Sequence, residues 1–237
     1  MLWILAAFAA FFIKGLCGFA NTLVFTSILS YGAVNVNISP VELILGYPAN
    51  FILSWRNRKR LNPKIVLPLS VLVLAGSIPG AILLKNMDAG WLKIVFGAAV
   101  VLIGIEMLLG DLKNTKLKES KFLLSVIGVL SGVLCGLFGV GALLAAYIGR
   151  VTTTGDEFKA NISAVFFVEN TARIIVYTIL NVITWAAVKD AVMLFPAAIL
   201  GLFAGIKSAD YLNEKTVRRL VIVLLILSGI VLIVKNI

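Results

Sequence analysis

Apolar residues run through this chain in long blocks separated by short polar and basic segments, with little of the alternation expected of strands or the one-faced pattern of surface helices. A bilayer crossing needs roughly 20 apolar residues. On that ruler eight blocks stand out: 2–31, 39–55, 64–84, 90–109, 122–149, 158–181, 185–206 and 216–234. Helices are the form such blocks take in lipid, so the pattern predicts an all-α integral membrane protein of about eight transmembrane helices. The first and fifth blocks are too long for one straight crossing, and both are interrupted by glycine. Gly15 and Gly18 fall in the first, and Gly128, Gly132, Gly136, Gly139 and Gly141 in the fifth. Glycine costs about 1 kcal/mol against alanine inside a helix, so this density marks close packing or a helix break. The second block is short and carries Pro48, which kinks or breaks a helix.

The same landmarks recur in both halves. Gly15-Leu-Cys-Gly18-Phe-Ala20 overlays Gly136-Leu-Phe-Gly139-Val-Gly141, and at nearly the same offset Asn50 falls beside Asn170 and Thr171. Gly76 and Gly80 overlay Gly201 and Gly205, a small-xxx-small pair in each half that suits close helix approach. The expected organisation is a four-helix repeat over 1–112 and another over 113–237, together one membrane domain. The first and fifth helices are broken at Gly136, Gly139 and Gly141 and their counterparts, while Gly128 and Gly132 serve packing. An even number of crossings per half predicts parallel repeats.

Composition narrows the class further. The chain has 237 residues, is 61% hydrophobic and 14% charged, and has a mean hydropathy of +1.07. The formal charge of +10 sits mainly in short interhelical loops, where a positive-inside bias explains it better than nucleic-acid binding. Arg56, Arg58, Lys59, Arg60 and Lys64 form one basic cluster, and Lys113, Lys116, Lys118 and Lys121 the next. Two spans separate them, so both are expected on the cytoplasmic side, with both termini. Lys207, Lys215, Arg218 and Arg219 then fall outside, diluted by Asp210 and Glu214; a glycine-broken element that re-enters would change this parity. Cys17 and Cys135 are the only cysteines and histidine is absent, so no metal site or cofactor is expected. The two thiols read as packing residues, with a disulfide left open. No P-loop is present, and no nucleophile stands beside a base, so the chain reads as neither an ATPase nor another enzyme.

Lys14 is the most informative residue. It lies about 13 residues into the first span, roughly 18–20 Å deep, where a charge needs a cavity or a partner. It precedes the Gly15–Gly18 break, whose exposed N–H groups and positive dipole end suit an anion. The competing reading is a structural ion pair with Glu42, Glu106 or Glu169. Glu169, Asn170 and Arg173 form a second constellation in the sixth span. Arg173 offers a planar fork for sulfonate or carboxylate oxygens, and Glu169 is either a proton carrier or simply its i,i+4 partner. Two bases and one acid near the midplane leave a positive surplus, which favours an anionic substrate. Asn50 and Asn170 would offer one amide from each half, while Asn21 and Asn161 read first as packing residues. Glu106 and Glu42 lie nearer span ends and read as interface markers, a vestibule group or a helix start. Tyr47, Tyr177, Trp3, Trp55, Trp91 and Trp185 read as an interfacial belt.

At its glycine-rich segments the chain resembles the sulfite exporter TauE/SafE family, also called the toluene-sulfonate uptake permease family. The residues that carry the resemblance are Gly136-Leu-Phe-Gly139-Val-Gly141 and Gly15-Leu-Cys-Gly18, set against a motif of the type G-x-x-G-x-G-G, with a basic loop after the second helix. Where the family often has a glycine run, this chain has Phe19-Ala20-Asn21-Thr22. The resemblance implies two four-helix halves and the movement of sulfite, sulfonates or other small organic anions. The expected function is a secondary transporter in the cytoplasmic membrane, working by alternating access, with proton coupling open. An anion channel and a carrier of a non-sulfur carboxylate are the alternatives. Expected substrate-binding residues are Lys14, Gly15, Gly18, Asn21, Asn50, Gly136, Gly139, Gly141, Asn170 and Arg173, with Glu169 as the proton-coupling candidate. The expected partners are a small anion and the lipid bilayer, without nucleic acid; a homodimer is left open.

Overall fold

The computed structural model describes residues 1–29, 35–86, 121–139 and 141–213, with scattered positions between 94 and 109 and between 216 and 234. The expected fourth span and much of the eighth, with Trp91, Glu106, Lys113, Lys116, Lys118, Glu214, Lys215 and Arg218, lie outside the described residues. In chain order the helices are α1 (Leu2–Cys17), α2 (Asn21–Leu29), α3 (Asn35–Arg56), α4 (Pro63–Asn86), α5 (Lys121–Phe138), α6 (Ala142–Val151), α7 (Gly155–Ile179) and α8 (Trp185–Ala209). A short 3₁₀ turn, Arg58–Arg60, joins α3 to α4. The described residues contain no strand. Within them Pro63–Ile82, Gly155–Ile179 and Trp185–Ala209 are long and apolar enough to cross a membrane. Helix α3 continues through both Pro40 and Pro48.

The two glycine-rich blocks do leave the helix. Helix α1 ends where Gly18 adopts φ +87 and donates its N–H to the Lys14 carbonyl at 2.7 Å. Helix α5 ends where Gly139 adopts φ +70 and donates to the Cys135 carbonyl at 2.7 Å. Positive φ is the conformation that glycine tolerates and other residues resist, which makes these two positions helix terminators. Downstream, Thr154 caps α7 by accepting the Glu157 N–H at 3.2 Å, and Thr184 caps α8 through Ala187 at 3.2 Å.

The direction of each helix follows from its contacts. Arg56 at the end of α3 pairs with Asp210 beyond α8 at 3.8 Å, and Asn62 before α4 donates to Asn161 early in α7 at 2.8 Å. These groups therefore share one end of the bundle, called here the basic end because Arg56–Arg60 lie there. At the opposite end, Ser39 early in α3 meets Tyr177 late in α7 at 3.2 Å. Helix α5 runs parallel to α4, with Gly128 against Leu72, Gly132 against Gly76 and Gly136 against Gly80. It thus starts at the basic end, and α6 returns the chain there to begin α7. Helix α1 runs parallel to α8, with Gly201 against Phe8 and Gly205 against Phe12. It thus points toward the basic end from the opposite one, and α2 turns back: Trp3 on α1 and Phe25 on α2 meet edge to face with ring centroids 5.9 Å apart.

Each broken block is therefore a hairpin that enters and leaves at one end, and the two enter from opposite ends. This differs from the expectation that they cross in parallel halves. Hydropathy reads the length of an apolar block but not whether the chain turns round inside it. The same geometry brings Lys207, in the last turn of α8, to the end that carries Arg56–Arg60, so Lys207 is no outlier. It also starts α1 from the opposite end, against the expectation of an N-terminus beside the basic loops.

Small residues set the helix contacts. A Cβ at Gly15 would strike the α8 backbone at Leu202 and at Ile206 N (2.7 Å). One at Gly136 would strike the α4 backbone at Ser77 and at Ala81 N (2.7 Å). Backbones this close gain dispersion and exclude lipid, the usual source of helix association where no hydrophobic drive exists.

Candidate functional site

The tips of the two hairpins bring buried charge together in the interior. Lys14 sits in the last turn of α1, 1% exposed, and donates to Asn21 Oδ1 at 2.9 Å. Asn21 opens α2 just past the break, so the turn itself sets lysine and amide side by side. The Asn21 amide nitrogen donates onward to Glu42 Oε1 on α3. Lysine, amide and carboxylate thus form a chain across three helices. Lys14 Nζ also lies 5.7 Å from the centre of the Phe166 ring, a cation–π contact of the kind that offsets part of the cost of a buried ammonium.

Arg173 on α7 anchors the second cluster. Its Nη1 donates to the Cys135 carbonyl at 2.7 Å and its Nη2 to Asn170 Oδ1 at 3.1 Å, while Nε lies 3.4 Å from Glu169 Oε1. Glu169 also accepts the Ser77 hydroxyl at 2.8 Å. The Cys135 carbonyl, in the last turn of α5, already accepts the Gly139 N–H, so Arg173 adds a second, charged donor at the negative end of a broken helix. Tyr177, one turn on, donates to the Gly136 carbonyl at 3.1 Å.

Gly139 and Gly46 join the two clusters. A Cβ at Gly139 would lie 2.7 Å from Arg173 Nη1, 3.0 Å from Thr22 Cγ2 and 3.3 Å from Glu42 Oε2. One at Gly46 would lie 3.2 Å from Glu42 Oε1, 3.5 Å from Asn21 Nδ2 and 3.7 Å from Asn170 Nδ2. Lys14, Asn21, Glu42, Asn170 and Arg173 therefore form one compact polar region, packed so closely around Gly46 and Gly139 that a side chain at either would crowd it.

Among the expected site residues, Lys14, Asn21, Gly139, Glu169, Asn170 and Arg173 gather here. Gly141 supports the region indirectly, because the Phe166 ring lies where its Cβ would be. Gly18 holds the α1 turn against Lys159, whose Cγ would be 3.0 Å from a Cβ there. Gly15 and Gly136 face neighbouring helix backbones instead, as described above. Asn50 is buried on α3 with no hydrogen-bond partner at Oδ1, and no described contact joins it to the region. Asn161 ties α7 to the α3–α4 turn by bonding Asn62 N and the Glu157 carbonyl.

Three participants lie outside the expected binding set: from sequence Glu42 reads as an ion partner of Lys14, a vestibule group or a helix start, Tyr177 reads as part of an interfacial belt, and Ser77 has no role. Glu42 is 2% exposed and central, two turns into a helix that starts at Asn35, four residues earlier than the apolar block. Ser77 steadies Glu169. Tyr177 is wholly buried and hydrogen-bonded, not part of an interfacial belt, whereas Trp55 and Trp185 are exposed as a belt requires. Cys17 and Cys135 are buried and not joined by a disulfide.

Among the described residues, apolar helices long enough to cross a bilayer around a buried cluster of charges fit a polytopic membrane protein. The family model for the sulfite exporter TauE/SafE matches residues 3–232. The chain belongs to that family, and with it to a family of membrane transporters. Neither the curated proteins nor the solved structures contain a match.

Proposed function

We propose that this chain is a secondary transporter of small sulfur-containing anions in the cytoplasmic membrane, with its basic end facing the cytoplasm. The observation that carries the reading is the enclosed region between the hairpin tips, where Lys14 and Arg173 offer cationic donors and Asn21 and Asn170 offer amides. Arg173 presents a planar fork suited to the oxygens of sulfite or a sulfonate. Substrate binds there and is exposed to each face in turn as the halves rock about it. At the basic end, Lys59, Arg60, Asn62, Thr153, Thr154 and Glu157 line an open pocket of about 350 Å³, which serves as the cytoplasmic mouth.

The two halves, 1–112 and 113–237, are in this reading one duplicated unit in inverted orientation, related by an axis in the membrane plane. The glycine contacts support it. Gly15 meets Leu202, Gly205 and Ile206, and its counterpart Gly136 meets Ser77, Gly80 and Ala81, the corresponding residues of the other half at a constant offset. Each half thus lends its broken helix to its twin, a design that gives alternating access from two near-equal states.

The test is counterflow in proteoliposomes holding the purified chain. Saturable exchange of labelled sulfite or methanesulfonate against unlabelled anion is expected, with both Lys14→Ala and Arg173→Ala lowering it at least tenfold. Wild-type uptake from both variants would remove the proposed site. A channel would show conductance without counterflow.

A further inference from the structure

We propose that Glu42 couples the anion to a proton: the region accepts its anion only when Glu42 is protonated, so that one proton travels with each negative charge. This rests on the transport reading above and adds the coupling ion and the residue that carries it.

The argument begins with a charge count. Lys14, Arg173, Glu42 and Glu169 are all at most 2% exposed. Two cations against two carboxylates make a region that is neutral when all four are ionised, without the surplus that sequence reading gave by leaving Glu42 out. An anion added to that neutral, water-excluded region would be an uncompensated buried charge, which is strongly unfavourable. A proton must arrive or a carboxylate must leave, and all four groups sit on packed helices.

The two carboxylates are not equivalent. Glu169 has a paired partner: it contacts Arg173 Nε at 3.4 Å and accepts the Ser77 hydroxyl at 2.8 Å. Glu42 has no ion pair within 4.0 Å among the described residues, and it meets Lys14 only through the Asn21 amide. Its Oε2 makes no well-formed hydrogen bond with a described group, although the Thr22 side chain lies beside it. That oxygen and Arg173 Nη1 both border Gly139, where a Cβ would stand 3.3 Å from the one and 2.7 Å from the other. The ionisable groups that act on Glu42 are Lys14 from α1, Cys135 from α5, and Arg173, Glu169 and Tyr177 from α7. The buried residues of α8, which also packs on α3, are all apolar.

The balance is simple. A proton from water binds Glu42, and the region goes from neutral to a single positive charge. A monoanion then restores neutrality, bound by Lys14 and Arg173, with the new Glu42 hydroxyl free to donate to it. Release of anion and proton on the other face resets the site, and no net charge moves.

Methanesulfonate is the probe, because its charge is fixed across the working pH range. In proteoliposomes containing a trapped pH indicator, an inward methanesulfonate gradient should acidify the lumen of wild-type vesicles. Binding should weaken about tenfold per pH unit above the Glu42 transition. Glu42→Gln fixes the neutral form, so it should exchange anion with no pH dependence and move no protons. Glu42→Asp should keep both coupling and pH dependence, which decides the matter if Glu42→Gln does not fold. Net methanesulfonate uptake down its gradient without lumen acidification in wild type, or persistent proton movement in Glu42→Gln, overturns the role of Glu42 while leaving anion transport standing. Absence of counterflow with any anion overturns the transport reading and this inference with it.

Discussion

Gly139→Ala tests the site where its geometry is tightest. The wild-type residue has φ +70, and an L side chain in that region costs about 1–2 kcal/mol. The new Cβ would also stand 2.7 Å from Arg173 Nη1, closer than contact allows. Arg173 must move, and the first bond at risk is the one from the same nitrogen to the Cys135 carbonyl at 2.7 Å. A hydrogen bond from a charged donor contributes about 1.5–3 kcal/mol, so the two terms together predict a loss of about 2.5–5 kcal/mol. Gly18→Ala is the internal control. Its φ of +87 carries the same strain, but the neighbour at 3.0 Å is a half-buried methylene of Lys159 that can shift. It should lose only about 1–2 kcal/mol. Thermal unfolding in detergent and methanesulfonate counterflow, run side by side, compare the two. Gly139→Ala should be the less stable and the one that loses exchange. Equal losses, or a Gly139→Ala protein with wild-type transport, would show that Gly139 does not govern Arg173.

Two further outcomes test the fold and the Lys14 side of the site. Cysteines placed at the exposed Lys59 and Tyr211 should react with an impermeant maleimide from one membrane face and a cysteine at Trp185 from the other; labelling of 59 and 211 from opposite faces would contradict the hairpin geometry. Gly141→Ala should drive the Phe166 ring away from Lys14 and lower anion affinity, with Phe166→Ala in the same chain relieving the clash. If the double variant is no better than the single one, the Phe166 contact does not control Lys14.

The sequence was most legible where chemistry and conformation coincide. Lys14 deep in an apolar block demanded a partner, and Gly18 beside it announced a turn; the partner it meets directly is Asn21, which from sequence reads first as a packing residue. Glu169 and Arg173 at i,i+4 declared themselves in the same way. Glu42 reads as one ion partner of Lys14 but falls near the end of its expected span, because polar Asn35, Asn37 and Ser39 delay the onset of apolar character; the helix begins at Asn35 regardless, which moves Glu42 two turns inward. Gly15 and Gly136 were assigned to binding because they share a motif with Gly18 and Gly139. One helical turn separates their jobs: the first glycine of each motif faces a neighbouring helix backbone and the second ends its own helix. Strand-like or helical periodicity cannot distinguish these, since both glycines are needed for what they lack.

The hairpin geometry also changes how the cations relate to the broken helices. A break was expected to offer N–H groups and a positive dipole end to an anion. Lys14 and Arg173 instead lie at the C-terminal ends of α1 and α5, the negative ends of those helices, while Asn21 stands at the N-terminal end of α2. The cations are therefore already engaged before substrate arrives: Lys14 with Asn21, and Arg173 with Cys135, Asn170 and Glu169. An anion cannot bind by attraction alone; it must take over contacts that the protein now satisfies. Its binding energy is then the difference between two satisfied arrangements, and a small difference of that kind is what a transporter needs in order to release its cargo on the far side.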